Sequence, residues 1–155
     1  MQPKDVENVL IYLGFLENNI SCINNELEEL KSRYNPLKGV AMDGMPGSSM
    51  PGDSTGMLAM KLADDIKSKN RERELLSLKA DRIAIKMALN SIKRDYRLIL
   101  EARFVFRISW NAVAREIGCS VITAQRWEKK ALVDFGCALD ELPDAAAIRK
   151  RSEIR

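Results

Sequence analysis

The chain has 155 residues, of which 46% are apolar and 30% charged, with eight glycines and five prolines. That composition supports a buried core and excludes a disordered tail. Histidine is absent, which removes histidine-based triads and the commonest zinc sites. Cys22, Cys119 and Cys137 are widely spaced with no CxxC pair, the pattern of reduced thiols. No run approaches the roughly 20 apolar residues of a membrane span, and MQPKDVENVL lacks the basic start and apolar block of a leader; a cytoplasmic, membrane-free protein is expected. The net charge of +3 is unevenly placed: residues 1–35 carry 3 basic and 6 acidic side chains, residues 93–134 carry 9 and 5. A phosphate backbone would be attracted to the second region.

In chain order, Val6, Val9, Leu13, Leu16, Ile20, Ile23, Leu27, Leu30 and Tyr34 repeat with alternating steps of three and four. This pattern predicts a coiled-coil helix over residues 1–35. A seam so narrow needs a partner helix. Asn35-Pro36 ends it, and LKGVAMDGMPGSSMPGDSTG, with five glycines and two prolines, predicts a flexible connection over 36–56. GSSMPGDS at 47–54 has the glycine gap of a phosphate loop, but Asp53 stands where lysine is required and no apolar strand precedes it. A nucleotide site is not expected there.

From Met57 to Phe106 neither proline nor glycine occurs, and the stretch reads as helix, with residues 57–92 as a second long element. Leu75, Leu78, Ile85, Leu89, Ile92, Tyr96 and Ile99 resume the three/four spacing, and Arg82 interrupts it. An antiparallel hairpin of the two long helices satisfies both seams; a parallel dimer of the first helix is the rival arrangement. Either gives an all-α chain in which this region serves shape and assembly.

The stretch SWNAVAREIGCSVITAQRWEKKAL, residues 109–132, has a different character. Ser109 can cap a helix running to Ile117, with Val113 and Ile117 inward and Ala114 small. Gly118 stands where a helix stops in the left-handed conformation. Ser120 then caps a second helix whose inner face is Ala124, Trp127, Ala131 and Leu132. This is the spacing of a helix-turn-helix, placed within a module spanning 93–135. In that geometry the second helix enters the major groove. Val121, Ile122, Gln125, Arg126 and Lys129 become the base-reading set, since Gln pairs with adenine, Arg with guanine, and Val or Ile touches the thymine methyl. Arg103, Arg107, Arg115, Ser120, Thr123 and Lys130 become backbone contacts. Trp110 and Trp127 read as core residues. A charged helical corner that never meets DNA is the bland alternative, although adjacent Val121 and Ile122 cannot both be buried on an ordinary amphipathic face.

DYRLILEARFVFRISWNAVAREIGCSVITAQRWEKKAL, residues 95–132, resembles the C-terminal promoter-reading region of sigma factors. Leu100, Arg103 and Phe104 match the family's lead-in, and WEKKAL at 127–132 resembles its recognition-helix ending. The layout, a coiled helix, a variable loop, a second long helix and then this module, is similar to phage-encoded sigma-like regulators of the RinA and ArpU type. The resemblance implies promoter DNA binding together with the host RNA polymerase. Apolar Val121 and Ile122 depart from the family's charged positions and imply a different target element. The polymerase-holding regions of full sigma factors have no counterpart here, which implies an activator rather than a self-sufficient sigma factor.

The expectation is therefore a sequence-specific DNA-binding transcriptional regulator of a phage or prophage, in the bacterial cytoplasm. Its partners would be double-stranded DNA, RNA polymerase and a second copy through the coiled coil. Two other readings use the same features: a phage genome-packaging recognition (small terminase) subunit, and a helical adaptor that binds protein and not DNA. Neither a cofactor nor a metal nor an enzymatic activity is expected, and Asp64 and Asp65 read as a solvated helical face. The 136–155 tail predicts a short helix near Asp144–Arg151 with its basic run in solvent.

Overall fold

A computed structural model describes residues 2–33 and 54–153 of the chain. The described residues are all-helical. The helices are α1 (Pro3–Arg33), α2 (Ser54–Ser91), α3 (Arg94–Leu100), α4 (Trp110–Ile117), α5 (Val121–Asp140) and α6 (Ala145–Glu153), with a π-turn over Glu101–Val105 after α3. The expected seam residue Tyr34, the Asn35-Pro36 stop and the 47–53 part of the rejected phosphate loop lie outside the described residues. Ser54, Thr55 and Gly56, expected in the connection, belong to α2.

Pro3 opens α1 at the one turn where its missing amide costs nothing. Asp5 at the start and Lys31 and Arg33 at the end complement the helix dipole. The described residues fall into two compact units, one within 20–77 and one within 1–19 and 78–155.

In the first of these, Ile20, Ile23, Leu27 and Leu30 of α1 and Leu75 of α2 are buried. Ion pairs join Glu26 to Arg71 at 2.9 Å, Lys31 to Glu72 at 3.6 Å and Arg33 to Asp64 at 3.7 Å. From Glu26 to Arg33 the partner falls from Arg71 to Asp64, so the two segments run antiparallel. Only every third or fourth side chain of α1 is buried here.

The other unit uses α1 differently. Leu10 and Tyr12 are buried beside Val6, Val9, Leu13 and Leu16, widening the narrow seam into the broad apolar face of a globular helix. Around it lie Ile85, Ala88 and Leu89 of α2, Ile99 and Leu100 of α3, Val113 and Ala114 of α4, Ala131, Phe135 and Leu139 of α5, and Ile148 of α6. At Gly14 an added Cβ would stand 3.3 Å from the Val105 carbonyl oxygen. The glycine thus admits the π-turn against α1.

Three expectations change. The uninterrupted helix from Met57 to Phe106 breaks at Ile92 and Lys93, where Ser91 turns its hydroxyl onto the Ala88 carbonyl at 2.7 Å, a local bond that competes with the helix ladder, and the Arg97 guanidinium reaches back across the break to the Asn90 side chain. The buried polar residue of the α2 seam is Asp81, 3% exposed, and not Arg82, which turns outward with Lys86 onto Glu17. These two cations hold the Glu17 carboxyl below its ordinary range, the Lys86 bond contributing most.

The third concerns the tail. α5 continues five residues beyond the expected boundary at 135 to Asp140, and α6 buries Ile148 and Ser152. Arg151, expected in solvent, grips both carboxylate oxygens of Asp81, at 2.7 Å from Nε and 2.5 Å from Nη2. The Tyr12 hydroxyl donates to the same carboxylate at 3.0 Å. Burial first, and then the Asp81 carboxylate, push the Tyr12 phenol up to about 12.

Candidate nucleic-acid interface

The candidate site is carried by α4, α5 and the turn between them. Ser109 takes the extended conformation of a cap residue, but its side chain makes no cap bond, so the expected hydroxyl cap is missing. α4 ends at Gly118, with φ 75° and ψ 33°, a left-handed conformation that costs an L side chain about 1–2 kcal/mol. There the Cys119 amide reaches back to the Ala114 carbonyl at 3.0 Å, satisfying an acceptor the helix end leaves open.

Ser120 does cap α5. Its Oγ accepts from the Thr123 amide at 3.1 Å and shares a second hydrogen bond with the Thr123 hydroxyl at 2.8 Å. Ala124, Ala131 and Leu132 are buried, holding the inner face of α5 down. Trp127 is half-buried and tilts against Tyr96 of α3, with ring centroids 6.4 Å apart. Two small residues at 124 and 131 allow close helix approach, and Trp127 fills the space between.

With that face fixed, Ile122, Gln125, Arg126 and Lys129 emerge together and line one open groove with Trp110 and Glu128. Gln125, Arg126 and Lys129 are exposed, and Ile122 stands 64% exposed. Val121, named with them from the sequence, is half-buried at the start of the helix. An exposed isoleucine between a cap and two long polar side chains gives the groove a mixed apolar and cationic lining.

The six residues named for the backbone divide. Arg115 and Lys130 are exposed, Ser120 is exposed, and Thr123 is half-buried, with both hydroxyls engaged in the cap. Arg107 is exposed, adopts φ 55°, and places its guanidinium 5.7 Å from the Phe15 ring centroid. Arg103 is used internally: Nη1 donates to the Ile108 carbonyl at 2.7 Å, and the guanidinium lies 4.5 Å over the Trp110 ring. It ties the π-turn to the start of α4, a role its match to a lead-in motif did not disclose.

Sequence reasoning also passed over Glu128. Partial burial raises its carboxyl above the ordinary range, Arg103 opposes that shift, and Glu7 adds to it. An acid within a cationic groove repels a polyanion when ionised, so Glu128 moderates the field that Arg126 and Lys129 create. Its position three residues after Gln125 was a usable signal, because residues three apart share a helix face and both line the groove.

Among the described residues no group of three or more metal-ligating side chains occurs, and no helix is long and apolar enough to cross a membrane. Scans against protein-family models, curated proteins and solved structures each return no match for this chain.

Proposed function

We propose that the chain is a sequence-specific DNA-binding transcriptional regulator, with α4, the Gly118–Ser120 turn and α5 acting as a helix-turn-helix. The single observation that carries this reading is the groove on the first half of α5. One exposed apolar side chain, one amide, one guanidinium and one ammonium converge there, the set needed to read base edges while neutralising phosphate. Ser120 engages the Thr123 amide, leaving the earlier amides of the helix start for a phosphate oxygen. Arg115 on α4 and Lys130 on α5 are exposed cations, available to the DNA backbone.

In this reading the antiparallel segments of α1 and α2 form a coiled-coil hairpin. The sigma-like resemblance of residues 95–132 makes host RNA polymerase the second partner and a phage or prophage activator in the bacterial cytoplasm the biological setting. DNase footprinting on fragments of the surrounding genome across a salt series tests the proposal. A discrete protected site that persists as salt rises supports sequence reading; uniform protection lost with salt reduces the interaction to phosphate attraction.

A further inference from the structure

α2 carries a second apolar stripe that α1 does not use. Leu58, Leu62 and Ile66 recur at steps of four and are 59%, 55% and 62% exposed. The face of α2 turned to α1 is marked by Asp64, paired with Arg33, by Arg71, paired with Glu26, and by buried Leu75. Leu62 and Ile66 each lie two positions from that face, hence roughly 160° around the helix. Three large aliphatic side chains in nine residues, all on the outer side, are a surface that water covers poorly.

The flanks of the stripe are as ordered as its centre. Lys61 and Asp65 precede Leu62 and Ile66 by one position and line one side; Ala59 and Ala63 follow Leu58 and Leu62 and line the other. All four are exposed. In an antiparallel pair related by a two-fold axis, each flank of one helix meets the same flank of its mate. Set in register so that Leu62 opposes Leu62 of the second copy, the stripe matches itself. Leu58 meets Ile66 of the second copy, Lys61 meets Asp65 of the second copy and the reverse, and the alanines allow the backbones to approach.

We propose that the outer face of α2 over residues 58–66 is a self-association surface, on which a second copy of this chain docks antiparallel through Leu58, Leu62 and Ile66. The occupant is a second copy because apolar centre and charged flank are both self-complementary about Leu62. An unrelated helix would have to reproduce Asp65 opposite Lys61 and Lys61 opposite Asp65 at the same spacing. The contact is small. Three side chains, two alanines and the stems of the charged pair bury roughly 400–500 Å² per chain, below the ~800 Å² per partner of a standard complex. The association is therefore reversible and visible as exchange between monomer and dimer with concentration. It is distinct from a dimer through the seam of α1, whose apolar residues are already buried within the chain.

Sedimentation equilibrium of the full chain without DNA, over a hundredfold concentration range, tests the proposal and does not depend on the DNA-binding reading. Monomer–dimer exchange is expected. Leu62→Glu removes the central contact and sets two carboxylates opposite each other, so the dimer dissociation constant should rise roughly 100-fold. Lys61→Asp should weaken association about three- to tenfold, and Lys61→Asp with Asp65→Lys should return it to within about twofold of the original. These side chains are exposed, and an unchanged helical circular dichroism spectrum confirms that the variants fold. A strict monomer at all concentrations, a dimer indifferent to Leu62→Glu, or a double reversal no stronger than the single one overturns the proposal.

Discussion

Arg151→Met tests the buried polar contact that fastens α6. Asp81 is 3% exposed, and its carboxylate is held by two bonds from Arg151 and one from Tyr12. Methionine keeps much of the arginine stem's bulk and removes only the cation, leaving a buried charge with one neutral donor. Breaking a fully enclosed pair from one side costs about 3–5 kcal/mol. The Arg151 side chain is 37% exposed, so water can reach the vacated position, and a loss of about 2 kcal/mol is expected. Urea unfolding at pH 7, followed by circular dichroism, measures it. Asp81→Leu combined with Arg151→Met removes the charge altogether and should recover about half of the loss. The remainder, about 1 kcal/mol, reflects the Tyr12 hydroxyl left without its acceptor. An Arg151→Met chain within about 0.3 kcal/mol of the parent would refute a closed Asp81–Arg151 pair in solution. Single losses that simply add in the double variant would refute the coupling.

Tyr12 titrates from an unfolded value of 10.0 to about 12 when folded. The folded state thus holds its proton more tightly, and the associated stability is present below pH 10.0 and lost as pH rises toward 12. Alkaline ultraviolet titration should show one phenol ionising late, and Tyr12→Phe should flatten that loss of stability; an ordinary titration for all three tyrosines contradicts it. Glu128 has a raised carboxyl, so its favourable term is present below the unfolded carboxylate range and lost as pH rises through the folded value. Glu128→Gln should therefore raise the melting temperature at pH 7, leave it unchanged in acid, and strengthen DNA binding; equal stabilisation at both pH values removes the titration as cause. Gly118→Ala meets nothing within 4 Å, so its cost is backbone strain alone, about 1 kcal/mol, with Gly118→Asn losing less. A neutral Gly118→Ala in thermal unfolding would mean that α4 does not end in the left-handed turn.

The parts legible in the sequence are those governed by local chemistry. Val113, Ala114, Gly118, Ser120, Ala124 and Ala131 predict two helices and the turn between them because a left-handed glycine and a hydroxyl cap have few other uses. The α1 stripe is equally clear, since its apolar residues recur without a gap from Val6 to Leu30. Its change of use was written more faintly. Leu10 and Tyr12 stand off the seam, and off-seam apolar residues signal a helix buried on a wide face, which the regular repeat concealed. Asp81 was illegible for another reason. Two polar residues adjoin at 81 and 82, and only the arrival of Arg151 from 70 positions away makes the acid the one to bury. Long-range pairing of that kind leaves no periodic trace. Arg103 shows the same limit at the candidate interface: a cation beside a helix-glycine-helix pattern invites a phosphate role until its bond to Ile108 and its stacking on Trp110 are seen.

Sequence recognition by the exposed groove of α5 is decided by footprinting the parent chain beside Arg126→Ala. The parent should protect a discrete site that survives rising salt. Arg126→Ala should lose roughly 1–3 kcal/mol at that site with little change on unrelated DNA. Equal footprints from the two proteins would contradict the assignment of Arg126 as a reading residue, and the absence of any discrete site for the parent would contradict sequence-specific recognition itself.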